Sequence, residues 1–535
     1  MISKKHFSLF FFLSLFLFIL LLYYPSLNIF FFSDDFFWIQ QYLNKGILDI
    51  KNNFEDDFFL PFSHILQILE INIFGINPTL IHLLNYAILL LSGYFIYKNL
   101  IILFSHFSFE NKNSIAIYSS LFFIVSPYNT EVINWFTAQS YMFSSLFFLI
   151  SFYFYIKFKI SQKSNFLIVS LIILLLSFLS KEISVFNILF FFGFEFLIFK
   201  NELKNKIKVC IYLILPFIIY FTLRVWLLKG FIGGYGVSTH MNFSLSLLFH
   251  NFVSYNAKFL LLYRYLFPVL KNFVNDPDFI TNATIVIFIF SLFIIFYIFK
   301  IKQYSFKTPI IKISIFTYIL FIISLIPVIN LETSFLQNIQ SDRYGYFPSI
   351  IFFTFLVIGI HLIFHNLIKH IIIIFILIVF SFFTYNTNIT WKHANEISES
   401  FSNQIVNNIN KGENNILILN IPDNYDGVYL FRNSLTDCIK LKLNNESNYN
   451  IKFLAFQNLS SKVKNTTTVE VKSNIITFQT DSINIIMRLN KDTIVNNKLH
   501  INQFTFENKS TYSLIVNEKC EYSIFYYDGE KLKKI

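Results

Sequence analysis

The feature that most constrains this chain is a series of apolar runs of about 17–25 residues, the length a helix needs to cross a membrane. The first run occupies residues 1–32 and lacks a small-residue cleavage site, which favours an uncleaved first span. Only 14% of the 535 residues are charged, too few to cover the surface of a soluble protein. We therefore predict an all-α polytopic membrane bundle with about eleven transmembrane helices. The later runs are 79–97, 114–128, 140–156, 164–180, 183–199, 207–228, 280–299, 313–329, 346–367 and 369–386.

Lysines give the bundle an orientation. The net charge is +11, and the lysines gather in alternate loops, such as 157–163 and 200–208. Cytoplasmic loops of membrane proteins carry such an excess. This favours a cytoplasmic N-terminus, an odd number of spans and an extracytoplasmic C-terminus. It also explains the positive charge without a nucleic-acid partner, and it places the long loops 33–78 and 229–279 outside.

The chain changes character after the last run. Residues 387–535 are polar and rich in asparagine, and stretches such as 468–477 alternate between apolar and polar residues, as β-strands do. We predict two domains, a bundle over 1–386 and a small extracytoplasmic β-rich domain over 387–535. Of the three cysteines, Cys210 lies in an apolar run, whereas Cys438 and Cys520 lie in the polar region and could form a disulfide.

Asp34 and Asp35 stand where the first run ends. Ionised groups at this depth are costly and are usually retained for a function. One carboxylate could accept the proton of an acceptor hydroxyl as a general base. The other could raise the pKa of its neighbour by repulsion, or orient the acceptor or a metal ion. The alternative is a helix cap at Ser33 or Asp34.

The rest of this outer loop is punctuated by prolines. Leu60-Pro61 and residues 75–78 bound a segment with apolar positions at helical spacing, which favours a helix lying in the membrane interface. His82 and Asn85 then lie one turn apart at the start of the second span. They are either candidate site residues or a pair that makes hydrogen bonds between helices of the bundle.

Three further polar motifs fall on the predicted outer side. Glu131 follows the segment 126–130, Lys181-Glu182 lies in a tight turn between two spans, and Arg343 lies in 341–349. A guanidinium at that edge could hold a phosphate through two hydrogen bonds. The alternatives are a capping acid for Glu131, a self-neutralising pair in the turn and interfacial anchoring for Arg343 and its tyrosines. The sequence contains no Walker loop, no HExxH motif and no Cys/His zinc spacing.

The order of these motifs resembles that of the membrane-embedded GT-C glycosyltransferases, in the branch of protein O-mannosyltransferase-like and tetratricopeptide-linked O-mannosyltransferases and their bacterial relatives. The resemblance covers residues 1 to about 386. It departs from the family pattern where Leu60 replaces an arginine, Ser126 a histidine and Asp342 a glutamate, and no tetratricopeptide repeats follow. The matching segments are 34–35, 60–61, 75–78, 82–85, 126–131, 181–182 and 342–349.

The resemblance implies a sugar donor linked to dolichyl or undecaprenyl phosphate and an inverting single displacement. Asp34 or Asp35 would be the base, and Glu131 would help to position the acceptor or the base. Cations would offset the charge that develops on the leaving phosphate. The implied donor-phosphate ligands are Arg343, Lys181 and Arg224, and the implied substrate-binding residues are His82, Asn85, Tyr344 and Tyr346.

The implied partners are a lipid-linked sugar, membrane lipids and a protein or glycan acceptor in the bacterial inner membrane. Nothing in the sequence requires a metal ion or another cofactor. One alternative is a transporter or flippase of lipid-linked saccharides, although no internal repeat is visible and the acids gather at one surface, with Glu195 near a cytoplasmic end as the clearest buried exception. A polymerase or ligase would be expected to carry an arginine-rich outer loop, and residues 229–279 contain little beyond Arg264. The last alternative is a structural membrane protein with an external β-domain.

Overall fold

The computed structural model describes most of the chain. The described ranges are 4–44, 58–107, 109, 111–199, 202–229, 244–261, 263–266, 309–331, 339–364, 366–432, 434–443, 449–461, 466–472, 475–480, 487–489, 501–508, 511–516 and 522–535. The expected span at 280–299 and the cysteine at 520 lie outside these residues.

The chain forms two compact units. We name the first the bundle unit; it comprises Met1–Leu27, Lys45–Ile133 and Ala138–Thr387. We name the second the β unit; it comprises Asn28–Asn44, Asn134–Thr137 and Asn388–Ile535.

The described residues contain sixteen α-helices. In chain order they are α1 (Lys4–Tyr23), α2 (Asp34–Asn44), α3 (Pro61–Phe74), α4 (Pro78–His106), α5 (Lys112–Ile124), α6 (Thr130–Asn134), α7 (Gln139–Ser161), α8 (Ser164–Ser180), α9 (Ile188–Gly193), α10 (Leu203–Leu228), α11 (Leu245–Leu261), α12 (Tyr263–Leu266), α13 (Pro309–Leu325), α14 (Tyr346–Ile363), α15 (Asn366–Asn410) and α16 (Leu435–Lys442).

Five helices in the described ranges are long and apolar enough to cross a membrane: Pro78–His106, Phe136–Ser161, Leu203–Leu228, Asp342–Ile363 and Leu367–Asn410. Three shorter apolar helices accompany them, at Phe12–Ser26, Ser164–Ser180 and Ile310–Leu325. The prediction of a helical membrane bundle followed by a β-rich region is confirmed. The count of eleven spans is not confirmed.

Two expected spans have a different form. The run at 114–128 contains a helix of 13 residues that ends at Ile124, because Pro127 restricts the backbone of the residue before it and opens a 3₁₀ turn. The run at 183–199 is divided into a 3₁₀ segment, the short helix α9 and a π-helix over Phe194–Ile198. Apolar composition predicts burial of such a segment and does not fix its hydrogen-bond pattern.

Helices of the bundle unit pack closely where small residues meet. The Ser120 hydroxyl of α5 donates to the Gly93 carbonyl oxygen of α4 at 2.7 Å. A Cβ atom at Gly93 would lie 2.6 Å from Ile124 Cδ1. The Ser151 hydroxyl of α7 likewise donates to the Ser170 carbonyl oxygen of α8 at 2.8 Å. Small residues let membrane helices approach and form such hydrogen bonds.

The β unit contains two sheets. Their strands are β1 (Asn415–Tyr425), β2 (Val428–Tyr429), β3 (Asn450–Leu459), β4 (Thr467–Lys472), β5 (Ile475–Thr480), β6 (Met487–Leu489), β7 (Ile501–Asn508), β8 (Thr511–Val516), β9 (Ser523–Tyr527) and β10 (Leu532–Lys534).

The first sheet is mixed and the second antiparallel. The first has the order β10-β9-β1-β3-β6, with β1 parallel to both β3 and β9, and β2 pairs with the end of β1. The second has the order β4-β5-β8-β7. Alternate residues of a strand share one face, as Leu417 and Leu419 do on β1 and Ile476 and Phe478 on β5. These four side chains form a core together with Leu454 and Ala455.

Helix α2 also belongs to the β unit, although it lies near the start of the chain. The Ser33 backbone N–H donates to the Leu430 carbonyl oxygen at 2.7 Å. The Phe36 ring stacks on that of Phe431 with 6.3 Å between ring centroids, and α16 packs against α2. The segment that bears the two adjacent aspartates is therefore held by residues from the end of the chain.

Candidate functional site

Asp35 is a fully buried carboxylate in the first turn of α2. Its Oδ1 accepts hydrogen bonds from the Thr137 backbone N–H at 2.7 Å and from the Thr137 hydroxyl at 2.5 Å. Its Oδ2 accepts from the backbone N–H groups of Phe32 at 3.1 Å and Phe136 at 3.3 Å. Four donors thus converge on one carboxylate, which ties the start of α2 to the segment 136–137.

Two opposing effects set the protonation of Asp35. Burial raises the pKa of this carboxyl from its usual 3.8 to about 7, because the charged form loses its hydration. The hydrogen bonds from Thr137 and from the two backbone amides act in the opposite direction, since they stabilise the carboxylate. The group is therefore an acceptor for protein donors and is shielded from solvent.

Asp34 occupies a different environment. Its side chain is partly exposed, and its Oδ1 accepts a hydrogen bond from the Ser33 hydroxyl at 3.2 Å. Ser33 has a φ of 50°, in the left-handed region that non-glycine residues seldom adopt, and this conformation turns the chain into α2. Of the two adjacent acids, Asp34 is the one that a solvent molecule or a substrate can reach.

The bundle unit contains a second group of charges, centred on Glu131. Arg343 donates to Glu131 through Nη1 at 2.6 Å and through its backbone N–H at 2.6 Å. The guanidinium also lies over the Tyr344 ring, 4.7 Å from its centroid, and Nη2 donates to the Tyr344 hydroxyl at 3.3 Å. The structure therefore joins two of the predicted motifs through a buried ion pair.

Two cations that the sequence reasoning did not select complete this group. Arg264 donates to both oxygens of the Asp342 carboxylate, at 2.7 and 2.9 Å. The Lys258 ammonium lies 2.8 Å from Asp342 Oδ1. Burial lowers the pKa of Lys258, and the neighbouring Asp342 opposes that effect. Three basic side chains thus face two acidic ones.

Burial of the Glu131 carboxyl raises its pKa, while the charge of Arg343 opposes the rise. A buried charge needs a partner of the opposite sign, and both Glu131 and Asp342 have one. We name these five residues the charge cluster; its members are Glu131, Lys258, Arg264, Asp342 and Arg343.

The turn after α8 forms a third feature of the bundle unit. Glu182 accepts hydrogen bonds from Arg224 Nη1 at 2.7 Å and from the Phe59 backbone N–H at 2.5 Å. The Lys181 ammonium lies over the Tyr141 ring, 4.6 Å from its centroid. Glu182 therefore forms its ion pair with Arg224 of α10. Lys181 lies over the aromatic rings of Phe58 and Tyr141.

The predicted pair at the start of α4 lies in a buried polar network. Gln139 Nε2 donates to Asn85 Oδ1 at 2.7 Å and to Glu70 Oε2 at 3.0 Å, and Asn85 donates to the Ile133 carbonyl oxygen at 2.8 Å. His82 is also buried, and its ring stacks on that of Tyr86. Asn85 thus fixes the backbone two residues after Glu131.

Glu70 is the acid that sequence reasoning missed. It lies on α3, and burial raises the pKa of its carboxyl from the usual 4.5 to about 8. Glu70 shares α3 with the buried polar residues Ser63, His64 and Gln67, so its position in the sequence did not distinguish it from its neighbours.

The two predicted tyrosines separate. Tyr344 contacts Arg343, and its ring meets that of Tyr141 edge-on at 6.2 Å. Tyr346 is buried at the start of α14, where it packs edge-on against Phe123 at 5.2 Å. No group of three His, Cys, Asp or Glu side chains in the described ranges is arranged to hold a metal ion.

The fold defines a class: an integral membrane protein whose helical bundle is followed by a β-rich domain, with buried charges at the ends of the helices. No protein-family model matches the chain, and no curated protein does so. Two solved structures are similar to it: ArnT from Cupriavidus metallidurans bound to undecaprenyl phosphate, and the same protein in the apo state. The structure with undecaprenyl phosphate has a TM-score of 0.38 and 11% sequence identity to this chain. The matched residues cover 97% of this chain and 99% of the ArnT chain. The apo structure has a TM-score of 0.37 and 11% sequence identity, and the matched residues cover 96% of this chain and 98% of the ArnT chain.

Proposed function

We propose that this protein is a GT-C-type glycosyltransferase that moves a sugar from a polyprenyl-phosphate donor to an acceptor hydroxyl. The observation that carries the proposal is the division of roles between the two adjacent acids. Four protein donors occupy the Asp35 carboxylate, whereas the partly exposed Asp34 accepts one hydrogen bond, from Ser33. An acid held beside a second, immobilised acid at the end of a membrane span suits general-base chemistry.

In the proposed reaction, Asp34 accepts the proton of the acceptor hydroxyl as that oxygen attacks the anomeric carbon of the sugar. The bond between the acceptor oxygen and the anomeric carbon forms while the bond from that carbon to the phosphate oxygen breaks. The electron pair of the broken bond stays on the lipid phosphate, and the configuration at the anomeric carbon inverts. Asp35 is a positioning residue, because it holds the first turn of α2 in place.

The leaving phosphate gains negative charge in this step and needs cations. The three basic side chains of the charge cluster support a role for Arg343, whose guanidinium donates to Glu131 and to the Tyr344 hydroxyl. Lys181 and Arg224 are proposed to assist. Glu131 therefore contributes by positioning Arg343, and its carboxylate is fully occupied by that task.

The sugar and the acceptor follow the resemblance to O-mannosyltransferases. We propose a hexose or pentose donor and a protein or glycan acceptor on the outer face of a bacterial inner membrane, with the N-terminus in the cytoplasm. Assays with defined lipid-linked sugars test the choice of donor.

The test measures transfer of radiolabelled sugar from polyprenyl-phosphate donors in membranes that contain wild type, Asp34→Asn or Asp35→Asn at matched amounts. We expect Asp34→Asn to lower the rate by about 10²–10⁴-fold, the usual contribution of a general base, with an unchanged melting temperature. Asp35→Asn is expected to lower both the rate and the melting temperature. Asp426→Asn, a change in the β-domain loop after β1, serves as the control.

Full activity of Asp34→Asn would show that the base lies elsewhere. Failure of every donor with wild-type protein would remove the glycosyltransferase proposal and favour a transporter of lipid-linked saccharides.

A further inference from the structure

A small cavity lies within the bundle unit, between α7, the turn after α8 and the start of α14. It is lined by three aromatic side chains, one ammonium group, several small polar side chains, one isoleucine and two prolines. Those that bear on the argument are Tyr141, Ser144, Ser145, Lys181, Asn187 and Tyr344.

Three polar side chains of this cavity are buried and have no hydrogen-bond partner among the described residues. Ser144, Ser145 and Asn187 are 4%, 2% and 5% exposed, and none of their side chains forms a hydrogen bond within the described part of the chain. Other lining hydroxyls are satisfied: Ser184 donates to the Ser177 carbonyl oxygen at 2.8 Å. Buried polar groups are nearly always hydrogen-bonded, so these three groups are available to a molecule that enters the cavity.

The serines differ from their neighbours on the same helix. Ser151, one and a half turns further along α7, is also buried, and its hydroxyl donates to the Ser170 carbonyl oxygen at 2.8 Å. A helical serine commonly turns its hydroxyl to the carbonyl four residues earlier, as Ser92 does to Ile88 at 2.9 Å. Ser145 makes no such bond among the described residues, and it lines the cavity.

The chemistry of the lining matches a sugar better than a phosphate. Serine hydroxyls and a carboxamide both donate and accept hydrogen bonds, as sugar hydroxyls do, whereas a phosphate only accepts and calls for donors alone. The rings of Tyr141 and Tyr344, with centroids 6.2 Å apart, supply apolar walls for C–H groups. The Lys181 ammonium lies over the Tyr141 ring, 4.6 Å from its centroid.

We propose that this cavity receives one hydroxyl-bearing edge of the donor sugar, with Ser145 and Asn187 as its hydrogen-bond partners. These residues would then determine which lipid-linked sugar the protein accepts. This inference rests on the proposed glycosyltransferase function and identifies the residues that would recognise the donor sugar.

The experiment uses full-length protein and a panel of polyprenyl-phosphate mannose, glucose and galactose, each also prepared without the hydroxyl at C2, C4 or C6. Transfer rates are measured for wild type, Ser145→Ala, Asn187→Ala and the matched control Ser151→Ala. Binding of polyprenyl phosphate without a sugar is measured on the same four proteins.

We expect wild type to prefer one parent sugar to one of its deoxy analogues by about 10-fold or more, since leaving a buried polar group unpaired costs about 1–3 kcal/mol. Ser145→Ala or Asn187→Ala should slow transfer of that parent sugar and should leave the rate with the deoxy analogue nearly unchanged. Binding of polyprenyl phosphate alone should stay as in wild type, and Ser151→Ala should keep the wild-type preference.

Two results would overturn the inference while the proposed function stands. One is transfer by both variants with the same preference as wild type. The other is an equal loss of binding to polyprenyl phosphate alone, which would make the cavity a phosphate site. If wild type transfers none of the sugars and binds none of the lipids, the proposed function fails, and this inference fails with it.

Discussion

At the scale of single residues, the Asp35 carboxylate is the best-satisfied acceptor near the end of the first span. All four of its partners are N–H or O–H donors. An asparagine at this position would turn an amide nitrogen toward at least one of them. We therefore expect Asp35→Asn to lower the free energy of unfolding by about 1–3 kcal/mol, the cost of leaving buried polar groups unpaired.

The melting temperature of purified Asp35→Asn protein in detergent, compared with that of wild type, tests the expected loss of stability. Thr137→Val removes the hydroxyl donor alone and should cause a smaller decrease. An Asp35→Asn protein as stable as wild type would contradict the assigned hydrogen bonds.

Titration of the buried Glu70 carboxyl makes the free energy of unfolding depend on pH. The pKa of its carboxyl is about 8 in the folded chain and 4.5 in the unfolded one. Between these values the folded chain holds a proton that the unfolded chain has lost, so this group makes the free energy of unfolding fall as pH rises from about 4.5 to about 8. Each pKa unit corresponds to about 1.4 kcal/mol, so the effect amounts to a few kcal/mol.

Melting temperatures of wild type and Glu70→Gln between pH 5 and pH 9 test this. Glutamine does not titrate, so the decline of the variant should be shallower than that of wild type. Glu396→Gln, at an exposed site on α15, serves as the control. Parallel curves for wild type and Glu70→Gln would contradict the buried titration.

The candidate site was predictable from the sequence where a charge lies beside an apolar run. Asp34, Asp35, Glu131 and Arg343 were found for that reason, since such charges are costly and therefore informative. Arg264 was not selected, because its partner Asp342 lies 78 residues away in the chain. Glu70 was missed because its partner Gln139 is neutral and lies 69 residues away.

At the scale of elements, the irregular segment after α8 contains a buried ion pair. Glu195 lies in the π-helix and is fully buried, and the Lys159 ammonium of α7 lies 2.8 Å from it. The Tyr155 hydroxyl donates to the same carboxylate at 2.8 Å. We expect Lys159→Met to lower the free energy of unfolding by about 3–5 kcal/mol, because it leaves a buried charge without its partner.

Thermal unfolding in detergent measures this loss. The double variant Lys159→Met with Glu195→Gln removes both charges and should recover much of the stability. Lys163→Met, at an exposed site after α7, should change little. A double variant less stable than Lys159→Met alone would contradict the assigned pairing.

The elements themselves were largely predictable. Apolar runs indicate helices because a backbone within lipid must satisfy its own hydrogen bonds. The break at 182–198 was not predictable, because the residues from Ile188 to Ile198 are almost all apolar. Glu195 is the one charge among them, and its partner lies 36 residues earlier. The β-strands of the polar region were anticipated from their alternation, although their order in two sheets depends on distant pairings.

At the scale of the whole molecule, the β unit includes a segment from near the start of the chain. Helix α2 packs on α16 and on Phe431, and Ser33 bonds to Leu430. We expect a chain that ends at residue 410 to lose sugar transfer by more than 100-fold, although it retains both aspartates. Such a chain keeps the donors of Asp35 but lacks Leu430, Phe431 and α16, which contact Ser33 and α2, and positioning supplies a large share of catalysis.

Transfer activity and limited proteolysis of the shortened chain test this. New cleavage within 34–44 is expected, together with unchanged resistance of α4 and α7. Wild-type activity in the shortened chain would show that α2 does not need the β unit.

The hydrogen bond between Ser33 and Leu430 can form only after most of the chain has been synthesised. A ribosome that has made the two aspartates needs about one hundred further residues to supply the donors of Asp35, at positions 136 and 137. It must add nearly four hundred, at about 5–20 residues per second, before Leu430 and Phe431 can contact Ser33 and α2. The unit that positions Asp34 is completed among the last parts of the protein, so a prematurely released chain is left without it.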